Sequence, residues 1–162
     1  MIVLNATAAD WECIWPFFQP IIAAGDTFSY PTGLTYEEGR RTWMQEPPGR
    51  TTVVTADDGT LVGSANMYAN RGGPGGHVAS GNYMVDPAHQ GRGAGRALIT
   101  DSIAWARAQG FRAFQFNAVA ESNTPALRLY HAAGFRIVGT VPEGFHHPAK
   151  GYVGLHVLHL PL

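Results

Sequence analysis

Cysteine occurs once in this 162-residue chain, as Cys13. A single thiol excludes an internal disulfide framework, argues against a structural zinc site and suits a reducing compartment. Charge is also sparse. Charged residues make up 14% of the chain and the formal net charge is −1, so no broad basic surface draws it toward nucleic acid. No apolar run approaches the length of a membrane span, and the N-terminus has no basic region followed by a hydrophobic segment. The expectation is a cytoplasmic protein with no membrane or nucleic-acid partner. At 45% hydrophobic, the chain is long enough to bury a core as one domain over residues 1–162.

What is present reads as an alternation of strands and helices. Ile2 to Leu4 predicts a short first strand, and Ala6 to Asp10 supplies polar caps for a helix. Trp11, Ile14, Trp15, Phe18, Ile21 and Ile22 recur at helical spacing, although Pro16 and Pro20 should bend or interrupt that helix. Thr35-x-x-Glu38 has capping-box spacing for a second helix, ended by Glu46-Pro47-Pro48-Gly49. Thr51–Ala56 and Leu61–Tyr68 are β-rich runs joined by the hairpin signal Asp57-Asp58-Gly59-Thr60. A glycine-rich loop, Asn70 to Gly76, leads to a strand over His77–Val85. A helix to Gln109 and a strand over Phe111–Val119 follow. Thr124 and Pro125 read as the N-cap and first position of a short helix stopped by Gly134. Phe135–Val141 and Tyr152–Leu160 are the last two strands, with Pro142–Pro148 as the loop between them. The order β-α-α-β-β-β-α-β-α-β-β predicts an α/β domain with a mixed sheet.

The stretch Val85 to Arg96 joins a strand to a helix through Gln90-Gly91-Arg92-Gly93-Ala94-Gly95-Arg96. The first N–H groups of a helix lack internal partners and carry partial positive charge, so they bind anions. Gly91, Gly93 and Gly95 let a phosphate approach the backbone, and Arg92 and Arg96 add charge. The stretch therefore reads as a pyrophosphate cradle. The glycine spacing fits neither the dinucleotide fingerprint nor the Walker loop, which needs Gly-Lys-Ser/Thr where this chain has Gly95-Arg96-Ala97.

Gln90-x-x-Gly93-x-Gly95 resembles the coenzyme A signature of the GCN5-related N-acetyltransferase (GNAT) family. Downstream, Asn123-Thr124-Pro125-Ala126-Leu127-Arg128-Leu129-Tyr130-His131-Ala132-Ala133-Gly134-Phe135 resembles that family's second hallmark, N-x-x-A-x-x-x-Y-x-x-x-G-F. The two stand in family order and at family separation, and together cover roughly residues 62–141. The resemblance is nearest to the members acting on phosphinothricin and amino acids.

The resemblance implies a GNAT fold, a mixed and mostly antiparallel sheet splayed between its fourth and fifth strands and flanked by helices. It implies acetyl-CoA as acyl donor in the wedge. Main-chain groups near Tyr83, Met84 and Val85 would hold the pantetheine, and residues Gln90, Gly91, Arg92, Gly93, Ala94, Gly95 and Arg96 the pyrophosphate. Asn117, Asn123 and Ala126 would line the other side. It further implies direct attack by a primary amine of a small molecule in a ternary complex, with an amino acid or analogue as candidate acceptor and a homodimer as candidate assembly. A non-catalytic acyl-CoA sensor or partner-binding module is the alternative.

Tyr130 matches the family's general acid, a task suited to a phenol that stays protonated at neutral pH. The family's strand glutamate falls on about Ser80 here, which can hold a water but cannot act as a base. His77, on the same strand, is a candidate base because imidazole titrates near neutrality. Glu143, His146 and His147 lie in a segment that reaches the acceptor pocket in this fold. Phe28 and Tyr30 are candidate pocket aromatics. Seven histidines raise the question of a metal, but His146 and His147 are adjacent and His156 and His159 fall on opposite strand faces, so none is expected.

Overall fold

A computed structural model describes all residues, 1–162. Its order is β1 (Ile2–Asn5), α1 (Trp11–Ala24), α2 (Tyr36–Trp43), β2 (Arg50–Thr55), β3 (Leu61–Ala69), β4 (Val78–Val85), α3 (Ala94–Ala108), β5 (Ala113–Ala120), α4 (Thr124–Ala132), β6 (Arg136–His147) and β7 (Gly151–Pro161). Seven strands form one sheet in the order β1-β2-β3-β4-β5-β7-β6, antiparallel throughout except between β4 and β5. No helix is long and apolar enough to cross a membrane.

The strand period of two divides the core into two layers. On β2, Val54 joins Val62, Met67, Leu98, Ile99 and Phe114 beneath α3, while its neighbour Val53 joins Trp11, Ile14, Phe18 and Trp43 beneath α1 and α2. The edge of the sheet is tied to α3 by Arg50. Its Nη1 donates to Asp101 Oδ2 at 2.7 Å and its Nε to Asn5 Oδ1 at 2.7 Å.

Helix α1 runs unbroken through Pro16 and Pro20. Both prolines sit on the exposed side, where carbonyls deprived of a partner meet water, while Trp11, Ile14, Phe17, Phe18 and Ile22 are buried opposite. Burial of that aromatic face outweighs the helix penalty of proline. Where α2 crosses α1 the contact residue is Gly39, and a Cβ there would lie 2.9 Å from Trp15 Cζ3 and 3.0 Å from Phe18 Cε1. The Thr35–Glu38 capping box forms as the spacing predicts, with Thr35 N donating to Glu38 Oε2 at 2.9 Å. These bonds hold the Glu38 carboxyl below its ordinary value.

Two expectations are corrected. The segment 142–148 is no simple loop: β6 continues to His147 and pairs with β7 down to His147–Gly151, with a register shift between Val141 and Phe145. Glu143 sits in this shift at φ 53°, the single residue with left-handed backbone that is not glycine. The N-cap of α4 is Asn123, whose Oδ1 accepts from Ala126 N at 3.3 Å, so Pro125 is the second helical residue.

Candidate active site

Strands β4 and β5 are paired only at Val78–Ala113 and Ala79–Phe114. Beyond them β4 continues to Val85 paired to β3 alone, and its other edge faces a wedge. Gly81 stands just past the fork. A Cβ there would overlap the Asn66 carbonyl oxygen, so only glycine fits. The N–H and C=O groups of the free edge are unpaired strand groups of the kind that bind an extended amide chain.

A cavity of about 850 Å³ fills the wedge. At one end it reaches the turn from β4 into α3, where Gly91 (φ 75°) and Gly93 (φ 95°) adopt left-handed backbone and Gly93 caps the helix. Gly95, on the first turn of α3, faces Leu129 of α4: a Cβ would lie 3.1 Å from Leu129 Cδ2. The absence of side chains at these positions leaves the helix N-terminus open to an anion.

The cavity wall includes Ser80, Tyr83, Met84, Val85, Gln90, Gly91, Gly93, Ala94, Gly95, Asn117, Asn123, Ala126 and Tyr130. Arg92 and Arg96 are exposed beside the turn and do not line the cavity. His77 is not brought to it. That residue is exposed at the opposite end of β4, with Nδ1 3.0 Å from the Pro74 carbonyl, and lines a separate hollow with Pro48 and Gly110. Of the three residues singled out on the β6–β7 hairpin, His147 lines the cavity and Glu143 and His146 do not.

Tyr130 lies on the wall, buried against Phe116 with ring centroids 4.4 Å apart and near Tyr83 at 6.1 Å. Burial pushes its phenol well above the ordinary tyrosine value, so it stays protonated at any physiological pH. Tyr83 is raised for the same reason, foremost by burial.

The other end of the cavity is made by the tail of α1 and the irregular segment after it. Pro20, Ile21, Asp26, Phe28 and Tyr30 line it together with Tyr68 from β3. Phe28 and Tyr30 stack with ring centroids 5.6 Å apart and planes 9° from parallel. Desolvation, with a smaller contribution from Tyr68, raises the Tyr30 phenol and keeps it neutral.

A polar relay that the sequence does not announce supports this end. Trp43 Nε1 donates to Ser64 Oγ at 2.8 Å, and the Trp43 carbonyl accepts from Asn66 Nδ2 at 3.0 Å. Asn66 Oδ1 in turn accepts from Asn82 N at 3.1 Å and Asn82 Nδ2 at 2.9 Å, and Asn82 Nδ2 lies 3.3 Å from Tyr68 Oη. Only the polar character of Ser64 and Asn66 in a largely apolar strand hints at it. Three residues of the wall, Thr27, Tyr83 and Ser122, have hydroxyls that are buried without a hydrogen-bond partner. Most buried polar groups in folded proteins have a partner, so these three are open to one supplied by a ligand.

These features fit coenzyme A. The glycine turn and helix start suit its pyrophosphate, the free edge of β4 suits its amide-bearing arm, and the cavity continues past Tyr130 to a second compartment. The chain closely matches a solved GCN5-related N-acetyltransferase from Kribbella flavida, at 57% identity and TM-score 0.96 over 99% of this chain and 97% of that one. It shares its fold with the phosphinothricin acetyltransferase of Sinorhizobium meliloti solved with acetyl-CoA, at 19% identity and TM-score 0.88 over 99% of this chain and 88% of that one. Among curated relatives, it is 29% identical to the L-methionine sulfoximine/L-methionine sulfone acetyltransferase of Salmonella typhimurium, over 59% of this chain and 56% of that protein. The chain spans about half the length of several curated relatives it matches. Residues 11–135 match the model of the Acetyltransferase (GNAT) family, and the chain belongs to that family.

Proposed function

We propose that this chain is an acetyl-CoA-dependent N-acetyltransferase acting on the primary amine of a small molecule. One observation carries the reading: a single cavity is lined by the anion-binding turn of α3, by an aromatic compartment and by the buried Tyr130. Acetyl-CoA supplies the acetyl group as a thioester, and the amine takes it directly in a ternary complex. The balance is R–NH3⁺ + CH3CO–S–CoA → R–NH–COCH3 + HS–CoA + H⁺. One N–C bond forms and one C–S bond breaks. Of the two protons lost from nitrogen, the equivalent of one finishes on sulfur and the other in solvent.

The residues divide this work. Gln90 to Gly95 hold the pyrophosphate on backbone N–H groups, with Arg92 and Arg96 adding charge from outside. The free edge of β4 at Tyr83–Val85 holds the pantetheine, and Asn117, Asn123 and Ala126 close the opposite wall. Tyr130 Oη donates to the departing sulfur. Its raised pKa makes it a poor acid but a reliable hydrogen-bond donor, which lowers the cost of a thiolate leaving group. No carboxylate stands at Ser80, so that hydroxyl orients a water that carries the amine's proton outward. The same geometry leaves His77 without a part in that step. A cytoplasmic setting, where acetyl-CoA and reduced thiols coexist, suits both this donor and the exposed Cys13.

Thermal unfolding with acetyl-CoA, CoA, ATP and NAD tests the reading. A ligand at about a hundredfold its Kd adds ~2.7 kcal/mol, or roughly 5–10 °C for a chain of this size. A shift with the two CoA ligands alone is expected, followed by thiol release when an amine is added. No shift with either at millimolar concentration overturns the proposal.

A further inference from the structure

The acceptor compartment has an unequal charge balance. No lysine or arginine lines the cavity anywhere along its length, and its one carboxylate, Asp26, lies at the acceptor end. Arg92 and Arg96 are exposed beside the turn at the donor end and do not line the cavity, and neither does Arg71, whose Nη1 donates to the Asn70 carbonyl at 2.9 Å. An amino-acid acceptor would bring its own carboxylate into this space. It would be partly desolvated, would have no lysine or arginine to pair with and only the His147 imidazole on the whole wall, and would share the compartment with Asp26. An amine without an acid group meets the reverse situation, because Asp26 attracts its ammonium form and Thr27 Oγ1 is left with a free hydrogen-bonding position.

The compartment's shape adds a second constraint. Phe28 and Tyr30 form a parallel pair, backed edge-on by Trp43 at 6.1 Å from Phe28, with Pro20 and Ile21 adjoining. Flat aromatic walls with neutral hydroxyls favour a flat, apolar guest. From these two observations, and resting on the acetyltransferase reading above, we infer that the acceptor is an arylalkylamine, a primary amine on a short aliphatic arm carrying an aromatic ring and no carboxylate.

The test compares matched pairs at saturating acetyl-CoA: 2-phenylethylamine against phenylalanine, tyramine against tyrosine, and hexylamine as the non-aromatic control. kcat/KM is read by thiol release. Each amine is expected to exceed its amino acid by about a hundredfold or more, the scale set by leaving a desolvated charge unpaired. Phenylethylamine is expected to exceed hexylamine, and Phe28→Leu to raise KM for phenylethylamine while leaving the acetyl-CoA thermal shift intact. Asp26→Asn should narrow the gap within each pair. Equal or better turnover of the amino acids overturns the inference, as does turnover of no amine tested or equal use of hexylamine. In each of those cases a retained acetyl-CoA shift leaves the acetyltransferase reading standing, whereas a missing shift removes both.

Discussion

The side-chain amides of Asn70 and Asn117 hold each other reciprocally: Asn117 Nδ2 donates to Asn70 Oδ1 at 2.6 Å, and Asn70 Nδ2 donates back to Asn117 Oδ1 at 3.2 Å. Gln115 Nε2 adds a third bond to Asn117 Oδ1 at 2.9 Å. The pair ties the start of the glycine-rich loop to the part of β5 that has diverged from β4 while still flanked by pairing to β7. Replacing Asn70 by Ala removes both of these bonds and a third from Arg71 Nη1 to Asn70 Oδ1 at 3.3 Å, all solvent-exposed, for a loss of about 1 kcal/mol. It also frees the wall residue Asn117. Urea unfolding should show the small loss, and initial-rate kinetics should show a several-fold rise in KM for acetyl-CoA with kcat nearly unchanged.

Tyr130→Phe keeps the ring that packs on Phe116 and deletes only the proton donor. Thermal stability and the acetyl-CoA shift should stay close to those of the unaltered protein. Thiol-release kcat should fall by roughly 10²- to 10⁴-fold, the range for loss of a positioned proton donor. Normal binding with lost turnover separates an enzyme from a binding module. Undiminished kcat removes Tyr130 from the reaction.

Tyr30, Tyr83 and Tyr130 all have phenols raised by burial. Below pH 10 they are neutral in both folded and unfolded chains and contribute no pH dependence. Above pH 10 the unfolded chain loses these protons first, so stability falls by about 1.4 kcal/mol per pH unit for each tyrosine. Urea midpoints should be flat with respect to these groups between pH 7 and 9 and drop steeply from pH 10 upward. A Tyr30→Phe variant should show a shallower drop.

Gly39→Ala forces a methyl group against the rings of Trp15 and Phe18, which are themselves locked in the aromatic cluster of α1. Overpacking of this kind costs about 1–3 kcal/mol, or roughly 3–9 °C in Tm. Alanine is the better helix former, so propensity alone predicts the opposite sign. A melting curve decides between them.

The cradle from Gln90 to Gly95, the strand before it and the Asn123–Phe135 hallmark were legible because each is local: a few residues fix the turn, the cap and the helix face. Sequence pattern and structure differ where distant contacts override local preference. Pro142 and Gly144 read as a loop, yet β6 lies at the sheet edge, where a proline and a register shift cost little pairing. Pro16 and Pro20 read as breaks, yet they face outward from a helix held by its buried side. Thr124 and Asn123 are both good caps, and the structure chooses Asn123. The Trp43–Asn66–Asn82–Tyr68 relay joins residues up to 23 positions apart and has no spacing signature. His77 lies just before β4, at the end away from the cradle as its place in the sequence implies, and does not line the cavity.

The two rungs that join β4 to β5 have a kinetic consequence under the proposed function. With so short a seam, the bound donor acts as a substitute strand, completing a sheet that the polypeptide leaves unfinished. Each catalytic cycle then includes assembly and disassembly of that borrowed strand. Product departure becomes a small unzipping event, governed by the same backbone groups that secure the donor, and substitutions that strengthen the grip on coenzyme A will slow its exit.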